Sequence, residues 1–121
     1  MNASSRFTFT KDERIKRTSE FNVVYATGKR YYTKNLIMYR VDNGRTHNRL
    51  GLSVSKKVGQ ASVRNHWKRR LREYFRLNKE KFGQGQDIVI VVKKEASVLE
   101  KHEIWKVIKN EMAEHFQKII H

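Results

Sequence analysis

Apolar residues recur along this chain in two rhythms. From Gln60 onward, at about 100° per residue, Val63, Trp67, Leu71, Tyr74 and Phe75 fall in an arc roughly 120° wide, the mark of an amphipathic helix with one face made for burial. Ile104, Ile108, Met112, Phe116 and Ile120 stand at successive i+4 steps with Trp105 alongside, which predicts a closing helix over residues 98–120. Its other face mixes charges evenly, so the helix reads as a packing element. Phe21, Val24 and Tyr25 share a face at i, i+3 and i+4 and predict a short first helix, capped by Thr18 or Ser19. Gly28 is placed to end that helix in the left-handed conformation.

Alternation with period two marks the strands. Tyr31 and Tyr32, then residues 35–41, read as extended chain, with Leu36 and Met38 on one side and Ile37, Tyr39 and Val41 on the other. Residues 42–48 (DNGRTHN) make a turn-rich loop in which Asn43-Gly44 is a hairpin signal. Residues 49–57 form a further strand. Leu50, Leu52 and Val54 point inward, while Arg49, Gly51, Ser53, Ser55 and Lys57 make a small, polar, cationic outer face. Such a face suits either solvent or a close-lying backbone. Residues 78–86 are a turn region with Gly83 and Gly85, and the unbroken apolar run 88–92 is that of a strand buried on both faces.

Charge adds a partner to this pattern. The chain has 121 residues, enough for one domain spanning 1–121, with residues 1–17 expected to be loosely held and Phe7 and Phe9 able to pin them to the body. Lys and Arg number 27 against 12 Asp and Glu, a net charge of +15. Residues 56–76 alone hold eight cations (56, 57, 64, 68, 69, 70, 72, 76) against Glu73. On the helix Arg64, Lys68, Arg72 and Arg76 follow one another at i+4, with Asn65 and Arg69 beside them. Like charges at this spacing repel. An extended polyanion relieves the repulsion, and the counterions it releases add to affinity. The run therefore points to nucleic acid more than to a solvated face. Phe21 and Tyr25 are open to two readings, core packing or a stacking platform for unpaired bases; by themselves the residues favour packing.

Catalytic chemistry is not evident. With no cysteine, disulfides, thiolate zinc sites and a cysteine nucleophile are excluded. No apolar run approaches the roughly 18 residues of a membrane span, and the N-terminus lacks a secretory pattern, so a cytoplasmic protein without membrane contact is expected. His102-Glu103 opens like a metalloprotease HExxH, but Lys106 stands where the second histidine belongs. Glu111 and His115 at i, i+4 read as a surface pair. Ser53 and Ser55 have no histidine–carboxylate partners in reach of the pattern. Between residues 21 and 79 the only acids are Asp42 and Glu73, which argues against a two-metal protein nuclease. Gly59, flanked by Lys56 and Lys57 before a helix, suits a phosphate.

The run LGLSVSKKVGQASVRNHWKRRLREYFR (residues 50–76) closely resembles the signature of the bacterial ribonuclease P protein component, an SxSKKxGxAxxRN-like strand and turn leading into an RNR-type helix. RIKRTSEFNVVYATG is similar to that family's first helix, and KNLIMYR and DIVIVVKKEAS to its later strands. One position departs: His66 stands where the third motif residue is usually Arg. The resemblance implies an α+β fold, a single-domain αβββαβα sandwich with a left-handed βαβ crossover (ribosomal protein S5 domain 2-like). It implies a small subunit, monomeric and 1:1 with ribonuclease P RNA, of a ribonucleoprotein endonuclease that removes 5′ leaders from precursor tRNA. Catalysis would reside in the RNA with Mg2+, and no protein catalytic residue is expected. By the same resemblance Lys56, Lys57, Arg64, Asn65, His66, Lys68, Arg69, Arg72 and Arg76 would contact the RNA subunit. Phe21, Tyr25, Tyr39, Ser53 and Ser55 would line a cleft for the single-stranded leader. Anions such as phosphate or sulfate are expected to stabilise so cationic a fold. The alternative that charge alone allows is a structural RNA-binding protein of ribosomal type.

Overall fold

The structure is a computed structural model and describes residues 9–120. The periodic segments resolve into α1 (Thr18–Thr27), β1 (Lys29–Tyr32), β2 (Leu36–Asp42), β3 (Arg49–Val54), α2 (Ala61–Leu77), β4 (Gln86–Val92) and α3 (Lys101–Ile120), the αβββαβα order expected. Short 3-10 turns at Lys11–Glu13, Lys56–Val58, Lys79–Phe82 and Lys94–Val98 join or precede them.

The strands form one sheet in the order β1-β2-β4-β3, with β4 antiparallel to β2 and parallel to β3. The apolar run of β4 takes the place where both faces are covered. Ile88, Ile90 and Val92 face the larger core beneath α2 and α3, with Leu36, Met38, Trp67, Leu71 and Ile108. Val89 faces a smaller core beneath α1, with Ile15 and Val24, against which Phe21, Tyr39 and Val91 pack.

Several local expectations change. Asn43-Gly44 closes no hairpin, because β4 inserts between β2 and β3. The loop is tied instead by Asn43, whose Nδ2 donates to Asp87 Oδ1 (2.9 Å) and to the His47 carbonyl (3.2 Å). Gly28 has φ −76°, not a left-handed value. Glycine is required there because a Cβ would stand 2.5 Å from the Val24 carbonyl oxygen. Arg17, not Thr18 or Ser19, occupies the cap of α1, its N–H donating to Glu20 Oε1 at 3.3 Å. β3 ends at Val54, so Ser55 and Lys57 leave the strand for the 3-10 turn. Residues 9–17 are held to the body: Phe9 packs edge-on to Phe75 at 5.5 Å, and Ile15 is buried with its N–H donating to the Leu50 carbonyl (3.0 Å). Residues 1–8, Phe7 among them, lie outside the described residues.

The surface pair expected at Glu111 and His115 is buried. Glu111 accepts hydrogen bonds from Thr33 Oγ1 (2.5 Å), Asn35 N–H (2.8 Å) and Asn35 Nδ2 (2.6 Å), which fasten the β1–β2 turn to α3. Three donors offset the cost of taking a carboxylate out of water. His115 Nε2 lies 3.3 Å from Arg40 Nη1, and Tyr31 stands edge-on to its ring at 4.9 Å. Beyond packing, α3 thus carries a polar clamp.

Candidate nucleic-acid interface

α2 buries Trp67, Leu71, Tyr74 and Phe75, the expected face, so its cationic residues are turned outward or along its flank. Lys56 and Lys57 are exposed on the turn before it. Arg64 is half-buried and folds back, its Nε donating to the Gly59 carbonyl at 3.1 Å. Asn65 and Arg69 are exposed, and Arg69 Nη2 lies 3.2 Å from His66 Nδ1. Burial, and then the charges of Arg69, Arg70 and Lys101, push the His66 pKa below its ordinary value, so this position is neutral at pH 7 where the usual Arg would be charged. Arg76 is half-buried near the helix end. Arg70 parts from the others: it pairs with Glu73 at 3.0 Å and lies over the Trp105 ring at 5.7 Å, so it serves the α2–α3 contact.

Lys68 and Arg72 join two residues that sequence reasoning did not single out. With Arg14 and Lys16 they line a pocket of about 290 Å³ bounded by Ile15, Phe21, Leu50 and Leu52, with no acidic side chain. Burial, reinforced by the Arg14 charge, presses the Arg72 guanidinium below its ordinary pKa. The sequence signal was the cluster of cations at 14, 16 and 17; its proximity to α2 was not legible.

Phe21, Tyr25 and Tyr39 come together on the opposite side of the sheet from α3. Phe21 and Tyr25 have ring centroids 6.2 Å apart, and Tyr25 meets Tyr39 edge-on at 4.9 Å. Arg49 secures α1 over this face. Its Nε and Nη2 donate to Asp87 (2.8 and 2.6 Å) and its Nη1 to Glu20 (2.7 Å). Burial by itself would raise the Asp87 pKa, but hydrogen bonds from Arg49 and Asn43 outweigh it and hold the carboxyl below its usual range. The Arg49 hydrogen bond likewise lowers Glu20.

Register supplies the rest of the floor. Gly51, Val89, Tyr39 and Arg30 form one row across the strands; Ser53, Val91, Ile37 and Tyr32 form the next on the same face. α1 packs on the first row. In the second, Ser53, Val91 and Ile37 are only half-buried. Ile37 and Val91, both missed, follow from Ser53 once strand pairing is known. Ser55 is exposed beyond the end of β3, apart from the three rings.

Fold and surface together define a class: a basic α+β domain presenting a cationic helix and, beside it, an aromatic sheet face. The family model described as Ribonuclease P matches residues 9–119, and this chain is similar to the ribonuclease P protein components of Syntrophus aciditrophicus (43% identical over 88 residues, 73% of this chain and 74% of the relative) and Clostridium kluyveri (42% over 99 residues, 80% and 88%). The solved structure of the Staphylococcus aureus RNase P protein matches with a TM-score of 0.74 at 32% identity, covering 89% of this chain and 94% of that one. The chain belongs to the ribonuclease P protein component family. It is accordingly a protein subunit of ribonuclease P, the tRNA-processing ribonuclease, and a partner of ribonuclease P RNA. Among the described residues no helix is long and apolar enough to cross a membrane.

Proposed function

We propose that this subunit binds ribonuclease P RNA through the cationic face of α2 and guides the 5′ leader of precursor tRNA across the aromatic sheet face, as a monomer paired 1:1 with the RNA. One observation carries the reading: Phe21 belongs to both surfaces. It stands in the aromatic group and also lines the acid-free pocket of Arg14, Lys16, Lys68 and Arg72. The pocket that joins the two surfaces is lined by four cations and no carboxylate, so a strand leaving an RNA bound on α2 can pass through it to the aromatic face. Folded RNA is held through its phosphates and an unpaired strand by stacking, which suits the two halves of this surface.

Among the described residues no group of three or more His, Cys, Asp or Glu could hold a metal ion. The reading assigns Mg2+ to the RNA subunit and gives the protein binding and positioning roles. The test is cleavage of a precursor tRNA at low Mg2+ by the protein, by a bacterial ribonuclease P RNA, and by the two combined. Strong cleavage by the mixture alone, reduced by Arg64→Ala, is the expected result. A mixture no faster than RNA alone would overturn the proposal.

A further inference from the structure

β1 carries an aromatic position outside the cleft described so far. Tyr32 is 48% exposed, although it sits opposite Ile37 on the face that holds Tyr39 and Ser53. Arg30, two residues earlier and opposite Tyr39, places its guanidinium carbon 5.8 Å from the Tyr32 ring centroid. Neither residue packs into either apolar core. The backbone beneath them is nevertheless fixed. The Tyr32 carbonyl accepts from Lys118 Nζ at 2.5 Å, and the next residue, Thr33, is buried and bonded to Glu111. The result is a solvent-facing ring with a cation beside it, displayed on a held edge strand.

The row Ser53–Val91–Ile37–Tyr32 spans all four strands, about 14 Å at the usual strand spacing. Its β3 end lies beside the pocket that Lys68 and Arg72 share with Leu50 and Leu52, and its other end is Tyr32. We infer that Tyr32 and Arg30 form the far end of the leader cleft, where Tyr32 stacks an unpaired leader base and Arg30 meets the neighbouring phosphate. This rests on the proposed function above. If the RNA subunit sits on α2, leader nucleotides near the cleavage site lie over β3, and those farther in the 5′ direction reach β1. The pair therefore sets how much leader the holoenzyme senses. A stacked aromatic favours any base, so the gain depends on leader length more than on leader sequence.

The test uses the holoenzyme reconstituted with its RNA subunit and precursor tRNAs of stepwise longer leaders, reading affinity and single-turnover cleavage for Phe21→Ala, Tyr32→Ala, Tyr32→Phe and Arg30→Ala. Tyr32→Ala is expected to weaken binding about fivefold or more with the longest leaders, with the loss shrinking as the leader is shortened. Tyr32→Phe should restore affinity, because the ring and not the hydroxyl is needed. Phe21→Ala should lose affinity from shorter leaders onward. If Phe21→Ala shows a leader-dependent loss while Tyr32→Ala shows none, or shows the same loss at every length, the inference fails and the cleft stands. If neither variant depends on the leader, the cleft reading itself fails.

Discussion

Phe21 rests directly on Gly51: a Cβ at position 51 would come within 2.8 Å of two carbons of the ring and 3.1 Å of Ile15 Cβ. The strand face lacks bulk here because a helix-borne ring occupies the space. Phe21 is thus half core residue and half platform, and the packing and stacking readings of its sequence are both satisfied by one geometry.

Gly51→Ala is expected to lift Phe21 from the sheet. Overpacking of this kind costs about 1–3 kcal/mol, so thermal unfolding should shift downward, and the affinity advantage of long leaders should shrink with it. A variant as stable as the parent would show that the ring yields without strain.

Charge on α2 separates into two roles. Arg69 is exposed with its Nη2 beside His66 Nδ1, whereas Arg70 pairs with Glu73 and covers Trp105. Arg69→Ala should weaken RNA-subunit binding and reduce the salt dependence by about one counterion, leaving stability unchanged. Arg70→Ala should lower the unfolding midpoint through lost packing on Trp105 with little change in RNA affinity. Titrations at several salt concentrations, alongside denaturant melts, distinguish the two; interchangeable effects would contradict the division.

Acid should destabilise the fold through His115. Burial, with Arg40 and Lys118 nearby, lowers its pKa from 6.5 to about 4. The unfolded chain therefore binds the proton more readily, and stability is lost as pH falls through the window between those values, by about 3 kcal/mol in full. His66 shifts in the same direction, and the lowered carboxyls of Asp87 and Glu20 add further losses at lower pH. His115→Gln should flatten, without abolishing, the fall in melting temperature between pH 7 and about pH 5. An unchanged slope would remove His115 as the cause.

Anions should stabilise this protein specifically. Four cations line the pocket of Arg14, Lys16, Lys68 and Arg72, and a ligand that binds only the folded state raises its stability. Phosphate or sulfate should raise the melting temperature more than chloride at equal ionic strength, and Lys16→Ala should narrow the difference. Equal effects of the three salts would leave only general screening.

Much of the candidate site was legible in the sequence because it depends on local spacing. The apolar arc of α2 fixes which side Asn65 and Arg69 must take, and period-two alternation puts Tyr39 with Ile37 and Ser53 with Gly51. The motif in residues 50–76 pointed to the family. Legibility stopped where one element meets another. Asn43-Gly44 carries a hairpin signal, yet the long-range pairing of β4 with both β2 and β3 prevails, because the most apolar strand gains most from the centre of the sheet.

Glu111 and His115 lie on the same i, i+4 steps that a solvent-facing ion pair would use. Only the docking of α3 against the β1–β2 turn, with Thr33 and Asn35 as donors, decides that they are buried. Likewise Arg14 and Lys16 stand far from Lys68 and Arg72 in sequence and share a pocket because Ile15 hydrogen-bonds to β3. The sequence by itself determined which residues form each element, which face of each is apolar and where the cations lie along α2. The tertiary structure alone decided which faces meet, since periodicity reports the side a residue takes on its own element, and strand register and layer packing determine what waits on that side.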